Sequence, residues 1–228
     1  AYGVPPTEFT WSQRDKDGKV VSTDKYTPLS FYNKLWGYDL NNDYVLVMND
    51  PSREYYKVYQ IEYDRHTYDG HDWVYLNLPN EEVKPMLIAS AKESTAMYIS
   101  CDVNKFLNRQ KGVMDLKNFD YESLLGVTMT MDKKERIITH SSASSHAMTL
   151  IAVDIDKSTS KPTKWMVENS WGKENGFKGN YIMTDEWFNE YMFRFVLNKK
   201  YVPESVTKLL KQKPIKLPAW DPMFAPEE

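Results

Sequence analysis

The chain has little of what would place a protein by composition alone. It holds one cysteine, Cys101, among 228 residues. No internal disulfide can form, which argues for a reducing compartment and a cytoplasmic location. No stretch approaches about 18 uninterrupted apolar residues, so no membrane-spanning helix is expected. Neither sign of charge dominates: 29 Lys and Arg face 32 Asp and Glu, a net charge of -3. That balance gives no drive toward nucleic acid or anionic lipid. The basic run around Lys199-Lys200 and Lys208 to Lys213 reads as a solvated helix face. Histidines number only four; His66 and His71 flank Asp69-Gly70 and Asp72. These form no compact ligand set, so they read as exposed hairpin residues, and neither a metal nor a cofactor is expected. There is no internal repeat and no low-complexity segment. The first residue is Ala1, with no signal-like apolar segment behind it, which fits a processed or truncated product.

Aromatics are abundant, with 16 Tyr, 9 Phe and 7 Trp, and the length suffices to bury a core without staples. Pro5-Pro6 and Asp15-Lys16-Asp17-Gly18 make the first 26 residues turn-rich, the second as a hairpin-like turn. Thr27-Pro28 predicts a helix start, and Leu29, Tyr32, Leu35 and Trp36 keep helical spacing. Tyr44 to Met48, Tyr55 to Tyr63 and Trp73 to Leu78 read as extended. Asn80 is expected to cap a helix running through Ala91 that buries Val83, Met86, Leu87 and Ala91. From Ala96 the character changes to a run of antiparallel-type strands: Met97 to Asp102, Ala147 to Asp154, Trp165 to Glu168, Gly179 to Met183 and Met192 to Leu197. Pro203-Glu204 opens a last helix through Lys211. Pro214 to Met223 cannot be helical, yet carries Ile215, Leu217, Trp220 and Met223, and is expected to dock against the body as an extended tail.

The chemistry lies in two segments. Ser145-His146-Ala147-Met148 opens one apolar run, and Trp165-Met166-Val167-Glu168-Asn169-Ser170-Trp171-Gly172 closes the next. A thiol peptidase needs an imidazole beside the thiol and a third group to hold the ring in one tautomer. His146 and Asn169 have the types and spacing for base and orienter. Trp171 is placed to lie over the pair and exclude water, and Gly172 and Gly176 permit the turn into Gly179-Asn180-Tyr181. His140 reads as a surface loop residue. Cys101 sits in the strand-like Tyr98-Ile99-Ser100-Cys101-Asp102, where a free cysteine is usually buried and inert. The nucleophile is therefore expected outside this chain.

The Asn-Ser-Trp-Gly element after a His-led apolar strand resembles the papain-like cysteine peptidases. More closely, the chain resembles the C-terminal half of the bleomycin hydrolase, or aminopeptidase C, family. Further matching pieces are Phe9-Thr10-Trp11, Thr27-Pro28-Leu29, Asn49-Asp50-Pro51, Cys101-Asp102-Val103, His146 to Thr149, Met183 to Trp187 and Leu217 to Met223. The resemblance implies an α+β papain-like fold, namely the antiparallel β half-barrel plus a family-specific helical and extended insertion. It implies a base in His146, an orienter in Asn169, and a nucleophilic Cys with a neighbouring Gln in a missing N-terminal half. It implies peptide substrates with free N-termini, a homohexamer, and a C-terminal tail in the cleft. There Glu227 or Glu228 would present a carboxylate to the substrate's amine. The ending Phe224-Ala225-Pro226-Glu227-Glu228 is more acidic and stiffer than the family's usual small residues. Three regions follow: 1–95 as an insertion contributing to assembly, 96–202 as the half-barrel carrying His and Asn, and 203–228 as helix and tail. The alternative is a non-catalytic fragment or pseudo-peptidase domain serving as a peptide-binding or oligomerisation module.

Overall fold

The computed structural model of the protein describes residue 4 and residues 6–223. The chain divides into two compact units, Ala1–Asp43 and Tyr44–Glu228. In the first, β1 (Phe9–Arg14) and β2 (Val20–Tyr26) pair antiparallel. The expected turn closes them: Asp15 Oδ1 accepts from the Asp17 and Lys19 amides, and Gly18 takes a positive φ of 82°. Helix α1 (Pro28–Leu35) starts as read, with Thr27 as N-cap in a reciprocal capping box with Ser30 and Pro28 in the first turn. Phe31 meets Phe9, Trp11 and Tyr26 edge-on at 5.2–5.4 Å, giving this small unit its aromatic centre. A short helix, α2 (Leu40–Asp43), follows.

The second unit is built on one eleven-stranded sheet. Its strands are β3 (Tyr44–Met48), β4 (Lys57–Ile61), β5 (Val74–Asn77), β6 (Met97–Cys101), β7 (Leu107–Asn108), β8 (Val113–Met114), β9 (His146–Ile155), β10 (Pro162–Glu168), β11 (Asn180–Thr184), β12 (Met192–Asn198) and β13 (Ile215–Leu217). Their spatial order is β13-β4-β5-β3-β12-β6-β9-β10-β11-β8-β7. Pairing is antiparallel except at β3/β5, β8/β11 and β4/β13. Helices α3 (Asn80–Lys92), α4 (Tyr121–Leu125), α5 (Lys133–Ile138), α6 (Asp185–Tyr191) and α7 (Glu204–Leu209) complete the unit. The mixed α+β class is as expected from the sequence.

Alternation along the strands produces two cores. On one face Val47, Ile99, Leu150, Trp165, Val167 and Phe195 pack under Val83 and Leu87 of α3 and Trp187 and Phe188 of α6. Trp165, Phe188 and Phe195 stack in sequence at 4.8 and 5.6 Å. Each such side chain, fully buried, contributes about 1.5–3 kcal/mol. On the other face Met48, Ile61, Tyr75 and Phe193 receive Leu217 and Met223 from the C-terminal tail.

Several local expectations are corrected. Asn80 does not cap α3; Pro79 is the N-cap, and the Asn80 amide reaches Asn189 instead. Ser90 is fully buried in this helix, whereas Ala91 is only half-buried, because helical phase turns position 90 inward. Helix α7 ends at Leu209, and its last turn tightens through Leu210 and Lys211, whose amides bond three residues back. The tail docks as expected through β13, Leu217 and Met223, but Ile215 and Trp220 stay exposed. Among the described residues, no helix is long and apolar enough to cross a membrane.

Candidate active site

β6, β9 and β10 run side by side, and their register builds the site. His146 begins β9, directly opposite Cys101 on β6. Asn169 follows the last residue of β10, whose Glu168 lies opposite Thr149 of β9. The two ends meet as the sequence spacing required: His146 Nε2 and Asn169 Oδ1 are 2.9 Å apart. Asn169 is buried, and its backbone N–H donates to the Gly179 carbonyl at 3.0 Å, which fixes the backbone.

Asn169 Oδ1 also accepts the Ser170 backbone N–H at 2.8 Å. A backbone N–H only donates, so the atom facing it must be the amide oxygen. The same oxygen therefore needs a donor from the ring, and Nε2 must carry the proton. The neutral imidazole is then left with an unprotonated Nδ1, a base on the side away from Asn169. Asn169 Nδ2 is buried without an acceptor among the described residues.

Trp171 covers the pair, its ring centroid 4.9 Å from that of His146. Tyr181 meets Trp171 edge-on at 5.7 Å and 90°. The loop that carries Trp171 is closed by Asn175, which donates to the Trp171 carbonyl at 2.6 Å. Gly172 and Gly176 take positive φ angles of 92° and 58°, a conformation that L side chains adopt at a cost. Beside the pair a cleft of about 330 Å³ is lined by Tyr98, Ala147, Thr149, Glu168, Asn169 and Ser170.

Cys101 shares a face and a register position with His146, yet its thiol lies wholly inside the core. Burial pushes its pKa far above the ordinary thiol value, with the neighbouring Asp102 adding to the rise. A thiol so placed is protonated at neutral pH and out of reach of substrate. His140 is exposed in the loop after α5. His66 and His71 are exposed on the β4–β5 connection, where they border a second cavity of about 610 Å³ with Trp73, Tyr98 and Arg194. No group of three or more His, Cys, Asp or Glu among the described residues is disposed to hold a metal ion. Glu227 and Glu228 lie outside the described residues.

Sequence reading missed two side chains, one beside the site and one in the core. Arg109, in the turn between β7 and β8, stacks on Trp171 with its Cζ 4.2 Å from the ring centroid. Lys133 is buried at the start of α5. A turn arginine and a helix-start lysine carry no pattern that would single them out. The visible signal for Arg109 was only Gly112, a turn residue three positions on.

The model of the peptidase C1-like family matches residues 1–224. The chain belongs to that family. It is 42% identical to human (Homo sapiens) bleomycin hydrolase over 228 residues, 98% of this chain and 50% of that protein. It is 37% identical to aminopeptidase C of Lactobacillus delbrueckii subsp. lactis, again over 98% of this chain and 50% of that protein. The crystal structure of PepW from Lactobacillus rhamnosis HN001 superposes with a TM-score of 0.89 at 34% identity, covering 98% of this chain and 50% of that one. The fold is thus papain-like α+β, as the sequence implied. The chain spans about half the length of the curated relatives it matches.

Proposed function

We propose that this chain is the C-terminal half of a cysteine aminopeptidase, in which His146 is the general base and acid and Asn169 its orienter. The observation that carries this reading is the His146–Asn169 hydrogen bond, whose direction is set by the Ser170 amide. Nδ1 takes the proton of a thiol supplied by the missing N-terminal half. The thiolate attacks the scissile carbonyl, the imidazolium returns the proton to the leaving amine, and water releases the acyl group. Asn169 holds the ring without adding negative charge, and Trp171 keeps water from the hydrogen bond.

Restriction to free N-termini rests on the tail. Met223 is held by Arg194, whose Nη2 donates to its carbonyl at 3.2 Å. Arg194 lies opposite Ser100, and Ser100 opposite Ala147, so Ala147 is two strands away, about 10 Å. Five residues follow Met223, and Glu227 or Glu228 is the residue assigned to the cleft. A carboxylate there pairs with a substrate ammonium group. The exposed apolar run Leu124, Leu125, Val127, Met129 and Met131 suits association with the missing half. A cytoplasmic homohexamer is the assembly proposed, with peptides as substrates and no membrane or nucleic-acid partner.

The test is hydrolysis of aminoacyl fluorophores by the protein joined to its N-terminal half. Asn169→Ala should lower kcat by at least about tenfold, because the ring loses its tautomer and orientation. Unchanged kcat would defeat the role given to Asn169. A protein without any aminopeptidase activity would favour the non-catalytic, peptide-binding alternative.

A further inference from the structure

The turn joining β7 to β8, residues 109–112, lies against the loop 171–176. The contact is between backbones. A Cβ added at Gly112 would sit 2.5 Å from Gly176 Cα, and one at Gly176 would sit 3.2 Å from Gly112 Cα. Both residues have positive φ. Gly112 also accepts the Ile182 amide at 2.8 Å through its carbonyl, tying the turn to β11. Asn118 braces the same segment, its Nδ2 donating to the carbonyls of Phe106 and Val113 at 2.7 and 2.8 Å. Two glycines are needed to let the segments approach so closely, and the approach brings Arg109 over Trp171.

The result is a cluster centred on Trp171, which meets Arg109 and His146, with Tyr181 edge-on to it. The indole thus meets both a guanidinium and an imidazole, and the two contacts together restrain its tilt. The guanidinium is attracted to the ring face and is weakly enough hydrated to stack there. We propose that Arg109 is a positioning residue: through Trp171 it keeps the His146–Asn169 hydrogen bond covered and the ring in its working orientation. Its contact is with the indole of Trp171. This inference rests on the role given above to His146 and Asn169.

The test has two arms. In the 228-residue chain with ¹⁵N-labelled histidine, the exchange of the His146 Nε2–H proton with water reports how well the pair is covered. Arg109→Ala should speed that exchange roughly two- to five-fold, the population shift that a cation–π contact of this kind sustains. Arg109→Lys, which keeps a cation but not the planar, weakly hydrated guanidinium, should recover part of the loss. Arg109 is exposed in a turn, so both variants fold. In the protein joined to its N-terminal half, Arg109→Ala should lower kcat by a similar factor with KM unchanged. An exchange rate that Arg109→Ala leaves unaltered, or a Lys variant no better than Ala, overturns the proposal. So does a rise in KM at constant kcat, which would make Arg109 a substrate contact. If the parent protein has no peptidase activity, the exchange arm still decides whether Arg109 covers the pair.

Discussion

Lys133 offers the sharpest test of the electrostatics. Its ammonium group enters the protein at the start of α5, where Nζ donates to Asn49 Oδ1 and to the Met192 carbonyl, each at 2.6 Å, and lies 4.8 Å from the Phe193 ring centroid. It thereby ties the helix leading toward His146 to the ends of β3 and β12. Burial brings its pKa down to about 7; Glu190 and Asp50 oppose the fall, and Arg136 and Lys84 assist it. In the unfolded chain the group titrates near the ordinary lysine value of about 10.4. Between these two values the unfolded state binds more protons than the folded state, so stability must rise with pH across that window. The slope is at most about 1.4 kcal/mol per pH unit from this group. Two short hydrogen bonds favour the ammonium, so the full change from pH 7 to 10 is on the order of 3 kcal/mol. Lys133→Met removes the titration but strands two buried acceptors, at roughly 1–3 kcal/mol each. Urea unfolding of both proteins at pH 7, 8 and 9 reads the difference directly. The parent should gain on the Met variant with each step upward. A difference that stays constant from pH 7 to 9 would mean that Lys133 is charged throughout, and would refute the argument from burial.

Further outcomes follow from Cys101, Asp221 and Asn169. Cys101 should not react with an aromatic disulfide reagent at pH 8 until the chain is unfolded, because its thiol has no exposed surface; prompt native-state labelling would contradict the core placement. Asp221 is almost fully buried and pairs with Arg53, and its Oδ1 accepts the Met223 amide, so Asp221→Asn should cost about 1–3 kcal/mol and make the tail more susceptible to limited proteolysis. If the proposed tail role holds, the same variant joined to the N-terminal half should cleave peptides with blocked N-termini; no such cleavage would separate tail anchoring from specificity. The tenfold loss expected of Asn169→Ala should appear in kcat, with the fold intact by circular dichroism.

Much of the site was legible because its logic is local. His146 and Asn169 each sit at the end of an apolar strand, and adjacent antiparallel strands place such ends together. Trp171 and the glycines after it were readable for the same reason. What was hidden depends on contacts far apart in the chain. Arg109 reaches Trp171 across 62 positions, and Lys133 reaches Asn49 across 84. No periodicity marks either residue. The α+β class and most strands could be read from alternation, but the mixed pairing of the sheet could not. The pairing of β13 with β4 spans more than 150 residues and leaves no sign in either segment. The misplaced cap at Asn80 has a plain cause: Pro79 has the extended conformation an N-cap needs, which moves the helix start one residue earlier.

The strand order also bears on how the molecule is made. β12 lies between β3 and β6, so the strand that unites the sheet is supplied by residues 192–198, long after its neighbours at 44–48 and 97–101. On a ribosome adding about 5–20 residues per second, β6 waits on the order of 5–20 s for the partner that completes its ladder. During that interval β3 and β6 present open edges and apolar faces, a template for pairing with other chains. Contacts of such long range also make for slow refolding from denaturant. The site inherits this schedule: His146 and Asn169 can pair early, but the sheet that holds them is locked only when β12 arrives.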